Sequence, residues 1–113
     1  MTRLRKARIA HNEGAFRALN ESLEASVHRD GPDGHVAGFV CECGDPECEA
    51  TIRLELPAYE SIRQDAQLFF LVPGHEEPEA EDVVDDGAGY LVVRKHEDVA
   101  DIVAQSDPRR ERE

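Results

Sequence analysis

Apolar residues in the first thirty positions recur with a helical period. Ile9, Phe16, Leu19, Leu23 and Val27 are spaced seven, three, four and four apart, which puts them on one face of an α-helix. Residues 1–30 are therefore read as one long amphipathic helix. It is stopped at Asp30-Gly31-Pro32-Asp33-Gly34, where proline and glycine break a helix and aspartate favours turns. From His35 the period becomes that of strands. Val36, Phe39 and Val40, then Thr51, Ile52, Leu54 and Leu56, flank a polar loop, and the second set alternates with Arg53 and Glu55. Pro57 to Arg63 suits a short helix with proline in its first turn. Leu68 to Val72 is the most apolar run and is expected to be the central strand, ended by Pro73-Gly74. Asp82–Asp85 and Tyr90–Arg94 flank Asp86-Gly87-Ala88-Gly89 as a hairpin whose apolar content is Val83, Val84, Leu91, Val92 and Val93. Val99, Ile102 and Val103 predict a last helix that ends before Asp107-Pro108.

These elements predict an α+β fold: a long N-terminal helix, a small, mostly antiparallel sheet carrying a zinc-clamped cysteine loop, and a short C-terminal helix. The expected boundaries are 1–30 for the helix with its basic start, 35–106 for the α+β zinc-binding domain and 107–113 for a frayed tail. A chain of 113 residues with 40% apolar and 34% charged positions builds one modest core. A structural metal would add to its stability.

The formal charge of −12 argues against general nucleic-acid binding, because a duplex repels an acidic surface. Basic residues concentrate at the start, where residues 1–29 hold six of them against three acidic ones. No stretch reaches the roughly 18 to 20 apolar residues of a membrane span, and Met1 to Ala10 lacks the apolar run of a secretory signal. The expectation is a cytoplasmic protein with no membrane contact. Glu76 to Asp86 contains seven acidic residues and no basic one, and reads as a solvated loop without the ligand order of a calcium-binding EF-hand.

The chemistry is concentrated in Cys41-Glu42-Cys43-Gly44-Asp45-Pro46-Glu47-Cys48. Three cysteines within eight residues, in a chain read as cytoplasmic, suit metal ligation better than a disulfide framework. On an extended segment Cys41 and Cys43 share a side, and Gly44-Asp45-Pro46 can turn Cys48 back toward them. Zinc in a structural role takes four Cys or His ligands, and His75, after the Pro73-Gly74 turn, is the favoured fourth. His35, Asp45, Glu49 and water are the alternatives, while His11, His28 and His96 read as ordinary surface histidines. Phe39 and Val40 are expected to give apolar cover beside the thiolates.

No zinc-protease or zinc-deaminase signature, nucleophile triad, phosphate loop or dinucleotide fingerprint is present, so catalysis is disfavoured. An open zinc site would draw on Glu42, Glu49 or Glu76 as base.

Phe39-Val40-Cys41-Glu42-Cys43 through Cys48, Tyr59-Glu60 and Leu71-Val72-Pro73-Gly74-His75-Glu76 resemble a family of small acidic proteins of high-GC bacteria that has no assigned function. The similarity includes Asn12 to Glu21 and so covers most of the chain. It implies a C-x-C-x4-C segment that goes with a later P-G-H-E segment, and no activity. The resulting expectation is a Cys3His zinc protein, with ligands Cys41, Cys43, Cys48 and His75, that serves as a regulatory or protein-interaction module. Its N-terminal helix would meet an unknown protein or a second copy through Arg5, Arg8, Phe16, Leu19 and Leu23. The runner-up is a thiol and zinc redox sensor using Cys41, Cys43 and Cys48.

Overall fold

Two small antiparallel sheets, rather than one, carry the strands. The computed structural model describes residues 3–30, 36–87 and 89–109. Helix α1 spans Arg3–Asp30, and strand β1 (Val36–Val40) pairs with β2 (Thr51–Glu55). Helix α2 (Leu56–Arg63) follows β2 directly and has a proline in its first turn, as the sequence predicts. β3 (Leu68–Leu71), β4 (Glu81–Gly87) and β5 (Tyr90–Lys95) form the second sheet in the order β3-β5-β4. A 3-10 turn, Glu97–Val99, leads into helix α3 (Ala100–Gln105), which stops before Asp107-Pro108. The α+β class with a long first helix and a short last one is observed.

The core lies where β1, α2 and β3 meet. Ala37, Phe39, Ile52 and Leu54 point inward on the period of two, and Phe39 and Ile52 face each other across the ladder. The Phe39 ring stacks on Tyr59 at 4.3 Å, and Phe70 meets both rings edge-on at 6.1 and 6.0 Å. This offset and T-shaped set follows the ring quadrupoles. Phe39, expected as cover for the thiolates, has its ring engaged in this cluster.

The central strand of the second sheet is β5, not β3. The Leu68–Val72 run is apolar because Phe69, Phe70 and Leu71 are fully buried from both sides, and burial does not require a central place in the ladder. The outer edge of β3 is used by the cysteine segment: Glu42 N donates to Phe70 O at 2.9 Å, and Phe70 N donates to Glu42 Oε1 at 3.3 Å. In the hairpin, Val83 and Val84 are exposed rather than apolar content of the core, because β4 is an outer strand with a register shift between Val83 and Asp85. Such a bulge, with Asp82, Asp85 and Asp86 beside it, discourages pairing with another edge.

The apolar stripe of α1 is only partly the face the helix buries: Ile9 is buried and Leu23 packs on the core, but the stripe does not stay inside along its length. Leu19 is exposed, Phe16 and Leu23 are half-buried, and the side chain of Val27 lies outside the described residues. The buried row is Ala10, Glu13, Arg17, Asn20 and Glu24, displaced by roughly a quarter turn at about 100° per residue. The reason is what this face meets: loop carbonyls and strand ends alongside the Phe69 ring. Arg17 donates to Ala66 O and Val103 O, both at 2.6 Å, and its guanidinium lies 4.7 Å from the centre of the Phe69 ring. Glu21 accepts from Tyr59 Oη at 2.8 Å and from Arg109, which also bonds Glu60. Arg109, assigned from the sequence to a frayed tail, is therefore held, and residues 110–113 lie outside the described set.

Glu13 belongs to a second buried group. Lys95 Nζ sits 2.6 Å from Glu13 Oε1 and 2.9 Å from Glu81 Oε1, with all three side chains fully buried. Burial, and then the Glu81 carboxylate beside it, hold Glu13 well above the usual carboxylate range against the opposing pull of Lys95. A carboxyl whose folded-state pKa is raised contributes stability below its unfolded value and loses it as pH rises through the folded value. Glu13→Gln should therefore lose less stability than wild type on raising the pH from about 5 to 8. Urea denaturation across that range checks this, and parallel profiles would refute it.

Candidate metal centre

Cys41 immediately follows β1, and its N–H donates to Ala50 O at 3.0 Å, which extends the β1–β2 ladder by one step. Side chains alternate along such a segment, so Cys41 and Cys43 face one way and Glu42 the other. Beyond Gly44 the chain reverses. Asp45 Oδ1 accepts from Glu47 N at 2.9 Å, and Cys48 N donates to Asp45 O at 3.1 Å, so a side-chain turn nested in a backbone turn returns Cys48 to the first two thiols.

His75 reaches the same point from the other sheet. After β3, Pro73 and Gly74 make a turn closed by His75 N donating to Val72 O at 3.0 Å. Gly74 holds φ +97°, a conformation in which a side chain would be strained. Cys41, Cys43, Cys48 and His75 thus converge, each offering one ligand atom, and those atoms lie within 4.8 Å of one another. His75 Nδ1 is 3.6 Å from both Cys41 Sγ and Cys48 Sγ. Tetrahedral zinc, with Zn–S near 2.3 Å and Zn–N near 2.0–2.1 Å, separates a sulfur from a nitrogen by about 3.6 Å. The donor set and its spacing fit a bound metal ion.

The electrostatics point the same way. Burial pushes the Cys43 thiol up to about 11 and the Cys41 thiol higher still, and neighbouring thiols add to both shifts, while the Val72 N–H, 3.3 Å from Cys41 Sγ, opposes the second. Two buried thiols raised in this way do not both ionise without a cation beside them. A divalent ion would displace these protons, so affinity rises with pH and acid releases the metal.

Helix α1 backs the loop closely. Asn12 Nδ2 donates to Gly44 O at 3.0 Å, and a Cβ on Gly44 would lie 2.6 Å from Ile9 Cγ2, so only glycine admits the helix here. On the open side, Cys43 and His75 share a depression with Asp45, Gly74, Glu76 and Glu77.

The other sequence candidates are placed elsewhere. His35 and the His28 side chain lie outside the described residues, His11 is exposed, and His96 Nε2 pairs with Asp82 Oδ1 at 3.1 Å. Asp45 Oδ1 is engaged in its own turn, and Glu49 is exposed. Glu42 is unsuited to act as a base at the ion, because its carboxylate faces away and is bonded to Arg63 at 2.7 Å through both oxygens. Glu76 Oε1 accepts from Gly74 N at 2.7 Å. Arg5 and Arg8 are exposed on α1 with Leu19.

Asn20 and Arg63 are the residues that sequence reasoning missed. Asn20 pairs its amide with both backbone groups of Val40, at 2.8 and 2.9 Å, and donates to Glu42 Oε2 at 2.7 Å. The available signal was the carboxylate between two cysteines, which alternation must send into the interior and which there requires a cation.

Among the described residues no helix is long and apolar enough to cross a membrane. In comparisons with protein-family models, curated proteins and solved structures, nothing matches this chain.

Proposed function

We propose that the protein is a small zinc-binding module in which Cys41, Cys43, Cys48 and His75 hold one structural Zn2+ and the outer face of α1 engages a partner. The observation that carries this reading is that four donors whose ligand atoms lie within 4.8 Å of one another come from both sheets: three from the β1–β2 connection and one from the turn after β3. Sheets of two and three strands are marginal alone, and an ion held by both fastens them together. Four protein ligands leave zinc no open position for substrate or water, which is the arrangement of a structural site rather than a catalytic one. Zinc is favoured over other ions because thiolate and imidazole are its preferred donors and it accepts a tetrahedral site without strain. Three free cysteines suit a reducing compartment, which supports the cytoplasmic assignment.

The interaction role rests on the surface of α1. Leu4 and Leu19 are 64% and 46% exposed, with Arg5 and Arg8 on the exposed surface of the same helix and Phe16 and Leu23 half-buried at its margin. This mixed apolar and basic surface fits another protein or a second copy, while the acidic body disfavours nucleic acid. Light scattering on wild type and Leu19→Asp reads self-association directly; a monomer in both assigns the surface to a different protein.

Elemental analysis of tag-free, reduced protein tests the site. One zinc per chain is expected, with affinity lowered about 10-fold or more in His75→Ala. Zinc held with unchanged affinity in His75→Ala would remove His75 from the ligand set and reopen a water-bearing site. No metal in the wild type would leave the thiol switch, in which mild peroxide reversibly oxidises Cys41, Cys43 or Cys48 and changes the partner state.

A further inference from the structure

We propose that Glu42 is a positioning residue for the metal centre: its carboxylate, fixed on the far side of the chain by Arg63 and Asn20, sets Cys41 and Cys43 in ligand geometry before the ion arrives. The inference rests on the reading of the cysteines and His75 as metal ligands.

Three elements converge on this one carboxylate. From α2, Arg63 Nη1 donates to Oε2 and Nη2 to Oε1, both at 2.7 Å. From α1, Asn20 Nδ2 donates to Oε2 at 2.7 Å, and from β3 the Phe70 N–H donates to Oε1 at 3.3 Å. The Glu42 backbone is held as well, through its N–H to Phe70 O at 2.9 Å. Glu42 is fully buried, and Arg63 is 3% exposed.

Glu42 is the single residue between two ligands. Any rotation of the segment that moves Sγ of Cys41 or Cys43 must also swing the carboxylate on the opposite side. That motion breaks a buried, two-pronged ion pair and exposes an uncompensated charge to the core. As a plain source of stability such a pair is a poor choice, since well-packed apolar side chains of similar volume do as well or better. What it supplies is a fixed geometry. Groups outside the ligand shell that orient the ligands commonly change metal affinity by about 10- to 100-fold. Here the orienting group acts through the backbone it shares with both cysteines, so the sulfurs lose less conformational freedom when the metal binds.

Cobalt(II) titration of the reduced, metal-free full chain tests the proposal, because thiolate-to-cobalt and ligand-field absorption report both affinity and geometry. The decisive variant is the paired substitution Glu42→Gln with Arg63→Met, which removes both charges while keeping approximate volume and the contact of residue 63 with the aromatic rings. It is expected to retain the metal-free circular dichroism spectrum, bind Co2+ about 10- to 100-fold more weakly and show altered ligand-field bands. A merely structural role would lower the melting temperature and leave both affinity and spectrum unchanged well below it, and that result would overturn the proposal. If the paired variant does not fold, Asn20→Ala makes the same comparison with the ion pair intact: several-fold weaker Co2+ binding supports positioning, and wild-type affinity refutes it. Wild-type protein that binds neither Co2+ nor Zn2+ overturns the ligand assignment itself, a result read before any variant is made.

Discussion

Cys48→Ser is expected to purify without stoichiometric zinc and to melt at least about 10 °C below the wild type, a loss of about 3 kcal/mol or more. Cys48 is the proposed ligand that the turn at Asp45 returns to the site, and without it the group retains Cys41, Cys43 and His75. A hydroxyl is a far poorer zinc donor than a thiolate, and free energy from a site that forms only in the folded chain is folding free energy. A bound ion would also offset the packing of three sulfurs, two of whose thiols burial already pushes upward. A chelator added to the wild type should produce the same shift, and lowering the pH should lower the chelator concentration required, because protons compete for the sulfurs. Differential scanning calorimetry with parallel zinc analysis makes the measurement. Wild-type melting in a variant shown to be zinc-free would mean that the two sheets hold together without the ion.

Lys95→Met should be the most damaging single change away from the cysteines, at about 3–5 kcal/mol near pH 7. Its ammonium lies within ion-pair distance of both Glu13 and Glu81, and its side chain is fully buried. Methionine fills the space but leaves two facing carboxyl groups uncompensated. The penalty should shrink as pH falls, since protonation relieves both burial and repulsion, and burial and the Glu81 carboxylate already raise the Glu13 pKa. Adding Glu81→Gln to Lys95→Met should recover a large part of the loss, with the coupling read from a double-mutant cycle in urea. Additive effects would show that Lys95 acts by packing alone.

The sequence carries the elements of this fold because local signals agree with their burial at most positions. Ile52 and Leu54 alternate with charged neighbours and do point inward, and Pro57 opens α2. The candidate metal centre was legible for a related reason: cysteines at that spacing have few structural uses, and a histidine after a Pro-Gly turn is constrained by its backbone. The order of the strands was not legible. Leu68–Val72 has the apolar character of a central strand, yet one of its edges is occupied by Glu42 of the cysteine segment, a contact made across 28 positions. Nothing near β3 in the chain encodes that partner.

Helix α1 shows the same division. Its reach to Asp30 follows from local propensity, and the expected stop in the Asp-Gly-Pro-Asp-Gly run falls, beyond Asp30, outside the described residues. Which face it buries depends on what lies opposite, and there the structure supplies loop carbonyls, a strand end and Glu42 beside the Phe69 ring. Residues with polar side chains, Arg17 and Asn20 above all, are the ones that can satisfy those groups, so hydrophobic spacing caught only the margin of the buried face, at Ile9 and Leu23. The sequence by itself determined the kinds of element, their breaks and the four donors, because each depends on a few neighbouring residues. Only the tertiary structure decided the two-sheet arrangement, the buried polar face of α1 and the link from α1 and α2 through Glu42 to the cysteines, because these depend on hydrogen bonds and charges matched between distant segments.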